Sequence, residues 1–228
     1  EFCHVLGIKK AIVLGHSLGG GVAMQFAIDA QDITEKLILV APTSVYGYPL
    51  FKGNQEVGFK PFESMDEMMT SDDPIGKAVQ LTVNTCKANN VPGYLQILGG
   101  LGGHGNAEPT PEFKRFIEEA LMQKDLLAAD WALMTWNITD IPSLYSKGTG
   151  EYKKIVCPVL LFTAENDTFV FPFMSEANIK HLNWDGKLTH VHYDNCTHMV
   201  YSPEADGGQK TKFFKDFKSY VLTGKVGE

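Results

Sequence analysis

The stretch "AIVLGHSLGGGVAMQF", residues 11–26, decides the fold of this chain. Its first residues, Ala11–Leu14, are apolar without alternation, which predicts a short buried strand. Apolar residues then recur at helical spacing, so a helix follows after a very tight turn. Gly15 and Gly19 lack the Cβ atoms that this turn would crowd, and we predict that the turn needs both glycines for that reason. Ser17 is then expected at the apex, in a strained backbone conformation at the N-terminus of the helix.

The chemistry of this apex favours nucleophilic catalysis. Free backbone N–H groups and the helix dipole favour developing negative charge next to Ser17. The G-x-S-x-G segment between a strand and a helix resembles the nucleophile elbow of the α/β-hydrolase superfamily. A Gly-rich turn can also hold a phosphate or be merely structural, but this one lacks the Lys of a P-loop and the spacing of G-x-G-x-x-G. The resemblance implies an α/β fold with a mostly parallel sheet flanked by helices, and it makes Ser17 the nucleophile.

The superfamily supplies the remaining catalytic groups in the order Ser, then Asp or Glu, then His. The segment "CPVLLFTAENDTFVFP", residues 157–172, begins with an apolar run, Val159–Thr163, that predicts another buried strand. Relatives carry the acid shortly past this strand in a G-x-x-D-like loop. Asp167 occupies the matching position, with Ala164 in place of the Gly. Glu165 is the rival, although a solvated loop carboxylate is the more ordinary interpretation of that residue.

The segment "KLTHVHYDNCTHMVYSPEA", residues 187–205, contains three candidate bases. His190 and His192 are two apart and lie on one face of the predicted strand, where a histidine is more often packed or solvated than catalytic. His198 follows the strand in a loop, shortly before the last helix. That position resembles the terminal histidine loop of the superfamily, with Thr197 where Gly is common. The resemblance makes His198 the general base.

Together the three positions imply a catalytic triad. His198 would take the proton of Ser17, and Asp167 would hold the imidazole in the required tautomer. An acyl-enzyme would form and be hydrolysed by water. The backbone N–H of Leu18 is expected to donate to the oxyanion, whereas the second donor, which relatives take from an earlier loop, has no candidate in this chain. The resemblance implies neither a metal nor a cofactor.

The organisation of the sequence predicts a core that is interrupted by an insertion. Residues 1–41 and 158–228 hold the predicted core strands and helices, the last of them a helix over 204–222. Residues 42–157 form a helical insertion without strand-like alternation, and the resemblance implies that it is a cap over the substrate pocket. Because the complete fold carries further strands before the nucleophile, we expect the missing N-terminal portion of the protein as a companion polypeptide.

The insertion is rich in aromatic residues. Any single one of them more often packs the insertion onto itself, but collectively they imply a largely apolar pocket and a substrate with a sizeable hydrophobic part. The residues expected to line this pocket are His16, Tyr46, Trp131, Trp136 and Met199.

Composition and charge argue against several classes of partner. The chain has 228 residues, a net charge of −7 and no predicted basic face, so nucleic acid and anionic membranes are disfavoured. No apolar run reaches the roughly 18 residues that a membrane span needs. The four cysteines show no metal-like spacing, which favours reduced thiols and a cytoplasmic protein.

The leading hypothesis from the sequence is a serine hydrolase that cleaves an ester or lactone. Hydrolysis of carbon–carbon or amide bonds on the same triad stays open, because fold and triad do not choose the leaving group. A hydrolase-like ligand receptor with little turnover also stays open, as do a lyase and a cofactor-free oxygenase. Epoxide hydrolases and haloalkane dehalogenases are disfavoured, since they need a carboxylate where Ser17 stands.

Overall fold

The computed structural model describes residues 1–100, 111–204 and 207–227. A 3-10 turn, Glu151–Lys154, precedes the fifth strand. The helices and strands follow in the order α1 (Phe2–Val5), β1 (Ala11–His16), α2 (Leu18–Asp29), β2 (Thr34–Val40), β3 (Phe51–Asn54), β4 (Gly58–Pro61), α3 (Met65–Thr70), α4 (Pro74–Lys87), α5 (Val91–Gly100), α6 (Pro111–Leu121), α7 (Leu126–Thr135), β5 (Val159–Ala164), α8 (Pro172–Leu182), β6 (Leu188–Tyr193) and α9 (Lys210–Thr223).

The chain divides into two compact units. The core unit comprises Glu1–Gly47, Asn137–Ser143 and Lys147–Glu228, and the helical unit comprises Tyr48–Trp136 and Leu144–Ser146. Each unit is described by itself below.

The core unit is built on a parallel sheet. Within the described residues this sheet has four strands in the order β1-β2-β5-β6, and all neighbouring strands are parallel. The predicted α/β class with a mostly parallel sheet is confirmed. Because the carboxyl ends of parallel strands meet at one edge of a sheet, the loops after β1, β5 and β6 begin at the same edge.

Strands β2 and β5, at the centre of the described sheet, are apolar because both faces of the sheet are covered there. Successive side chains of a strand point to opposite faces, and those of Leu37–Val40 in β2 and Val159–Phe162 in β5 are all buried. The ring of Phe162 stacks on Tyr193 of β6 at 5.7 Å and packs against Phe213 of α9 at 5.0 Å. These contacts fix the end of the sheet from which the later loops leave.

Strand β1 differs from the fully buried strand that its sequence predicts. Ile12 and Leu14 are 37% and 47% exposed, and they alternate with less exposed neighbours. In the described sheet β1 is an edge strand, with a hydrogen-bonded neighbour on one side only. Its apolar residues are therefore covered less than those of β2, although their β-branched and leucine side chains suit either position.

The helical unit contains a β-hairpin, contrary to the prediction of an insertion without strands. Strands β3 and β4 pair antiparallel. The side-chain oxygen of Asn54 accepts hydrogen bonds from the backbone N–H groups of Glu56 and Val57, and Gly58 closes the turn with a φ of +80°. The strands are four residues long and mostly exposed, so they carry too little apolar alternation to be recognised.

The helices of this unit begin at residues that cap their free N–H groups. Ser64 accepts from the N–H of the third residue of α3, Asp73 caps α4 before Pro74, and Asp125 caps α7. Each such cap stabilises its helix by about 1 kcal/mol. The apolar faces of these helices enclose a cluster of Phe62, Met68, Val79, Val83 and Met134.

The structure places residues 42–47 in the core unit, whereas the predicted insertion runs from 42 to 157. Asn178 of α8, which is fully buried, holds this segment. Its amide N–H donates to the carbonyl of Thr43 at 3.0 Å, and its Oδ1 accepts from the N–H of Val45 at 2.7 Å. The side chain of Asn178 thus ties residues 42–47 to the core unit.

Helix α9 begins at Lys210, later than the predicted start at 204. Gly207 and Gly208 lie in a turn before this helix, and a Cβ on Gly208 would lie 2.1 Å from the backbone oxygen of Ser202. The N–H of Thr197 donates to the carbonyl of Gly207 at 2.8 Å. This turn ties the start of α9 to the loop after β6.

Candidate active site

Ser17 lies at the turn between β1 and α2, where the backbone is strained. Its φ of 54° and ψ of −125° lie in a region that residues other than glycine rarely adopt. Its N–H donates to the carbonyl of Val40 at 3.1 Å, and its own carbonyl accepts from the N–H groups of Gly20 and Thr43 at 2.9 Å each. The end of β2 and the first turn of α2 therefore hold the strained conformation in place.

Two glycines relieve crowding at this turn, and only one of them was predicted. A Cβ on Gly15 would lie 2.2 Å from the carbonyl oxygen of Gly19 and 2.7 Å from the Cβ of Ala23. A Cβ on Gly20 would lie 2.3 Å from the Cβ of Pro42. A Cβ on Gly19 would meet no atom within 4 Å outside the backbone of its own helix. The prediction that Gly19 relieves crowding is wrong, because the close approach at the helix start falls on its neighbour.

The N-terminus of α2 offers a donor for an anion. Leu18 is the first residue of the helix, and its backbone N–H donates to no acceptor in the part of the chain that the structure describes. Unpaired N–H groups at a helix N-terminus favour a negatively charged ligand. The predicted oxyanion donor is thus free to act, and the second donor, expected outside this chain, stays a prediction.

Asp167 and His198 form a buried hydrogen-bonded pair. Nδ1 of His198 lies 2.8 Å from Oδ2 of Asp167, and the two side chains are 6% and 3% exposed. The other carboxylate oxygen accepts from the N–H groups of Phe169 and Val170 at 2.8 and 2.9 Å. Because a carboxylate only accepts hydrogen bonds, Nδ1 of the neutral imidazole carries the proton and Nε2 is left as a base.

The predicted contact between Ser17 and His198 is not formed. Among the described residues no hydrogen bond joins the Ser17 hydroxyl to His198, and the hydroxyl does not cap α2 either. Contacts of this kind are often long without substrate and shorten in the Michaelis complex. The structure thus pairs two of the three predicted triad members, and the complete triad stays a prediction.

The rival acid and bases have partners of their own. Oε2 of Glu165 accepts from the N–H of Asn195 at 2.7 Å, which fastens the loop after β5 to the loop after β6. His190 Nε2 and His192 Nδ1 each lie 2.8 Å from Oγ1 of Thr163 in the neighbouring strand. Burial and the neighbouring His192 lower the pKa of His190. Each of these side chains is engaged within the sheet or its loops.

His16, the last residue of β1, contacts the loop after β6 that carries His198, which we call the histidine loop. Its Nε2 lies 3.2 Å from the backbone carbonyl of His198, and its Nδ1 lies 3.5 Å from the hydroxyl of Tyr201. The His16 ring lies 4.7 Å from the His198 ring and 5.2 Å, edge-on, from the Tyr201 ring. Burial, with a smaller contribution from His198, lowers the pKa of His16 to about 4. Nothing in the sequence indicated Tyr201, because no motif relates it to His16.

The other predicted pocket residues have varied surroundings. The sulfur of Met199 lies 3.7 Å from the hydroxyl of Tyr201. Tyr46 packs edge-on against His181 at 5.5 Å. Trp131 packs against the apolar cluster of the helical unit. Trp136 follows the last residue of α7, and its backbone N–H donates to the carbonyl of Ala132. Their contact with a substrate stays a prediction.

The described residues show no metal site, and the thiol nearest to His198 in sequence is not activated. In residues 1–100, 111–204 and 207–227 there is no group of three or more His, Cys, Asp or Glu side chains placed to hold a metal ion. No helix of that same portion has the length and apolar character to cross a membrane. Cys196 lies in the histidine loop, but burial raises the pKa of its thiol to about 11, so the reactive thiolate is disfavoured.

Comparison with known sequences identifies a family. The sequence model of a family described as "alpha/beta hydrolase fold" matches residues 1–205. Over 45 residues the chain is 51% identical to the uncharacterized protein Rv2715 of Mycobacterium tuberculosis, which covers 20% of this chain and 13% of that protein. Over 68 residues it is 40% identical to the dihydrolipoyllysine-residue acetyltransferase component of the acetoin cleaving system of Cupriavidus necator, with coverage of 30% and 18%. The chain thus matches less than two thirds of either relative.

Solved structures share the fold at low sequence identity. The esterase EaEST from Exiguobacterium antarcticum superposes with a TM-score of 0.59 and 15% identity, covering 98% of this chain and 70% of that chain. The enzyme MGS-M2 from a Medee basin deep-sea metagenome gives a TM-score of 0.57 and 16% identity, with coverage of 100% and 70%. The 2-hydroxy-6-oxo-6-phenylhexa-2,4-dienoate hydrolase from Rhodococcus sp. strain RHA1 gives 0.53 and 15%, with coverage of 95% and 66%. At these identities the likeness establishes the fold alone.

Proposed function

This chain belongs to the alpha/beta hydrolase fold family, and from that premise we propose that it is a serine hydrolase. The proposed reaction is cleavage of an ester or lactone of a sizeable hydrophobic substrate through an acyl-enzyme on Ser17. The observation that carries the proposal is the buried hydrogen bond between Asp167 and His198. It supports a base whose Nε2 is free, in a loop that leaves the same edge of the sheet as the nucleophile turn.

The reaction follows from these groups. Nε2 of His198 takes the proton of Ser17 as the hydroxyl oxygen attacks the carbonyl carbon. Asp167 holds Nδ1 and stabilises the imidazolium that forms. The N–H of Leu18 donates to the oxyanion, a contribution of roughly 3 kcal/mol for one such donor. The imidazolium then gives its proton to the leaving alcohol, and water hydrolyses the acyl-enzyme.

An ester is proposed as the bond because the superposed protein from Exiguobacterium is an esterase. A hydrophobic acyl group is supported by Phe169, whose ring lies 5.2 Å from that of His198. The geometry does not favour a particular leaving group. Amide and carbon–carbon substrates therefore belong in the same screen as bulky aryl esters and lactones, and a ligand receptor would bind members of the screen without turnover.

Intact-mass spectrometry after treatment with a fluorophosphonate probe tests the proposal. We expect one adduct on the parent chain and none on Ser17→Ala. Ser175→Ala, which removes a hydroxyl from α8, is the matched control and is expected to be labelled like the parent. Labelling or ester turnover that survives Ser17→Ala would contradict the proposal. The masses of all polypeptides in the native preparation also test for the expected companion polypeptide with the second oxyanion donor.

A further inference from the structure

We propose that His16 is a positioning residue for His198, acting through a hydrogen bond from its ring to the backbone of the histidine loop. The inference rests on the proposed function, because it concerns the base of that reaction. His16 directly precedes Ser17, and its Nε2 lies 3.2 Å from the carbonyl oxygen of His198. One side chain thus links the turn that carries the nucleophile to the loop that carries the base.

The sheet explains why such a link matters. In the described sheet β1 and β6 are separated by β2 and β5, so no ladder of hydrogen bonds joins β1 directly to β6. Asp167 holds the ring of His198 at Nδ1. His16 holds the main chain of the same residue. The ring and the backbone of the base are therefore fixed by separate partners, and the second partner is covalently next to Ser17.

The protonation of His16 follows from its neighbours. A carbonyl oxygen only accepts, so Nε2 of His16 must carry a proton to donate to His198. Burial keeps the pKa of His16 at about 4, so the ring is neutral near pH 7 and Nδ1 is an acceptor. The hydroxyl of Tyr201 lies 3.5 Å from that nitrogen and 3.7 Å from the sulfur of Met199. It has one proton to donate, and the imidazole nitrogen is the stronger of the two acceptors. Tyr201 thus favours the tautomer that the contact with His198 requires.

The test compares two substitutions of His16 that differ in whether the new side chain can donate a hydrogen bond. His16→Phe keeps a ring and loses the donor, whereas His16→Gln keeps an N–H of similar reach. For His16→Phe we expect kcat to fall about tenfold with KM changed by less than about twofold, the effect of losing one positioned hydrogen bond. His16→Gln is expected to recover kcat to within about threefold of the parent. His4→Gln, an exposed histidine of α1, is the control and should leave kcat unchanged.

A double-mutant cycle tests the role of Tyr201. Tyr201→Phe is expected to lower kcat by less than His16→Phe, and to have no further effect when both changes are combined. The ring nitrogens give a readout that does not depend on turnover. In a 15N–1H spectrum of the parent histidines, we expect the proton of His16 on Nε2 between pH 6 and pH 8, about two units or more above its pKa.

Three outcomes would overturn the inference. The first is parental kcat in His16→Phe, and the second is a failure of His16→Gln to recover kcat although both variants melt at the same temperature. The third is a proton on Nδ1 of His16. If Ser17 is labelled by the probe while one of these outcomes occurs, the positioning role alone is wrong. If Ser17 is not labelled, the proposed function and the positioning role fail together.

Discussion

Exchanging Gly15 and Gly19 for alanine, one at a time, separates two glycines that the motif treats alike. The Cβ of Gly15→Ala would lie 2.2 Å from the carbonyl oxygen of Gly19 and 2.7 Å from the Cβ of Ala23. Neither neighbour is the far end of a flexible side chain, so β1 and α2 must separate. Overpacking of this kind costs about 1–3 kcal/mol. Gly19 lies in α2 and a Cβ there would meet nothing within 4 Å, so Gly19→Ala should stabilise by up to about 1 kcal/mol.

Urea unfolding followed by circular dichroism measures this difference. We expect the two variants to differ by about 1–4 kcal/mol in free energy of unfolding, with Gly19→Ala the more stable. Equal slopes against urea show that only stability has changed. Gly20→Ala serves as a second crowded position, since its Cβ would lie 2.3 Å from that of Pro42. The reasoning is refuted if Gly19→Ala loses as much stability as Gly15→Ala, or if Gly15→Ala matches the parent.

Three further changes test polar groups that the fold removes partly or fully from water, each by urea unfolding. Tyr193→Phe removes the hydroxyl that donates to buried Asp216 at 2.7 Å, so we expect a loss of about 1–3 kcal/mol, and parental stability would contradict this. Burial raises the pKa of Asp130 to about 6. The folded state therefore loses stability as the pH rises from the unfolded pKa through 6, and Asp130→Asn should stabilise by up to about 3 kcal/mol at pH 8 but not at pH 4. Burial lowers the pKa of His16 to about 4, so the unfolded chain binds its proton first. Stability should then fall by up to about 3 kcal/mol as the pH drops from 6.5 to 4, and this slope should flatten in His16→Gln.

Much of the core could be predicted because its strands are continuous apolar runs. The strand predicted over Val159–Thr163 matches β5 in all but the last residue of β5, and the tight turn at Ser17 is evident from the change of period on either side of it. The start of α9 at Lys210 could not be predicted, because Gly208 lies against the backbone of Ser202 in a turn that no sequence motif indicates. The hairpin of β3 and β4 was missed since its short strands bury almost nothing.

The pairing of Asp167 with His198 could be anticipated for a different reason. Asp167 follows β5 and His198 follows its parallel neighbour β6, and the loops after parallel strands meet at one edge of the sheet. The structure pairs them, and it gives the rival Glu165 a backbone partner instead. The contact of His16 with Tyr201 could not be anticipated, because it depends on how four strands space the loops after β1 and β6.

The loops at this edge are held to one another by a series of hydrogen bonds. Backbone hydrogen bonds join the ends of neighbouring strands and the residues that follow them, in the order of the sheet: Ser17 to Val40, Ala41 to Phe162, and Asn166 to Cys196. Backbone groups are the same in every residue but proline, so few substitutions alter these bonds. Two further links depend on side chains, Glu165 to the histidine loop and His16 to His198. The link through His16 joins the end of β1 to the loop after β6. A substitution of His16 is therefore expected to change the distance between Ser17 and His198, its proposed base, without disturbing the backbone ladder.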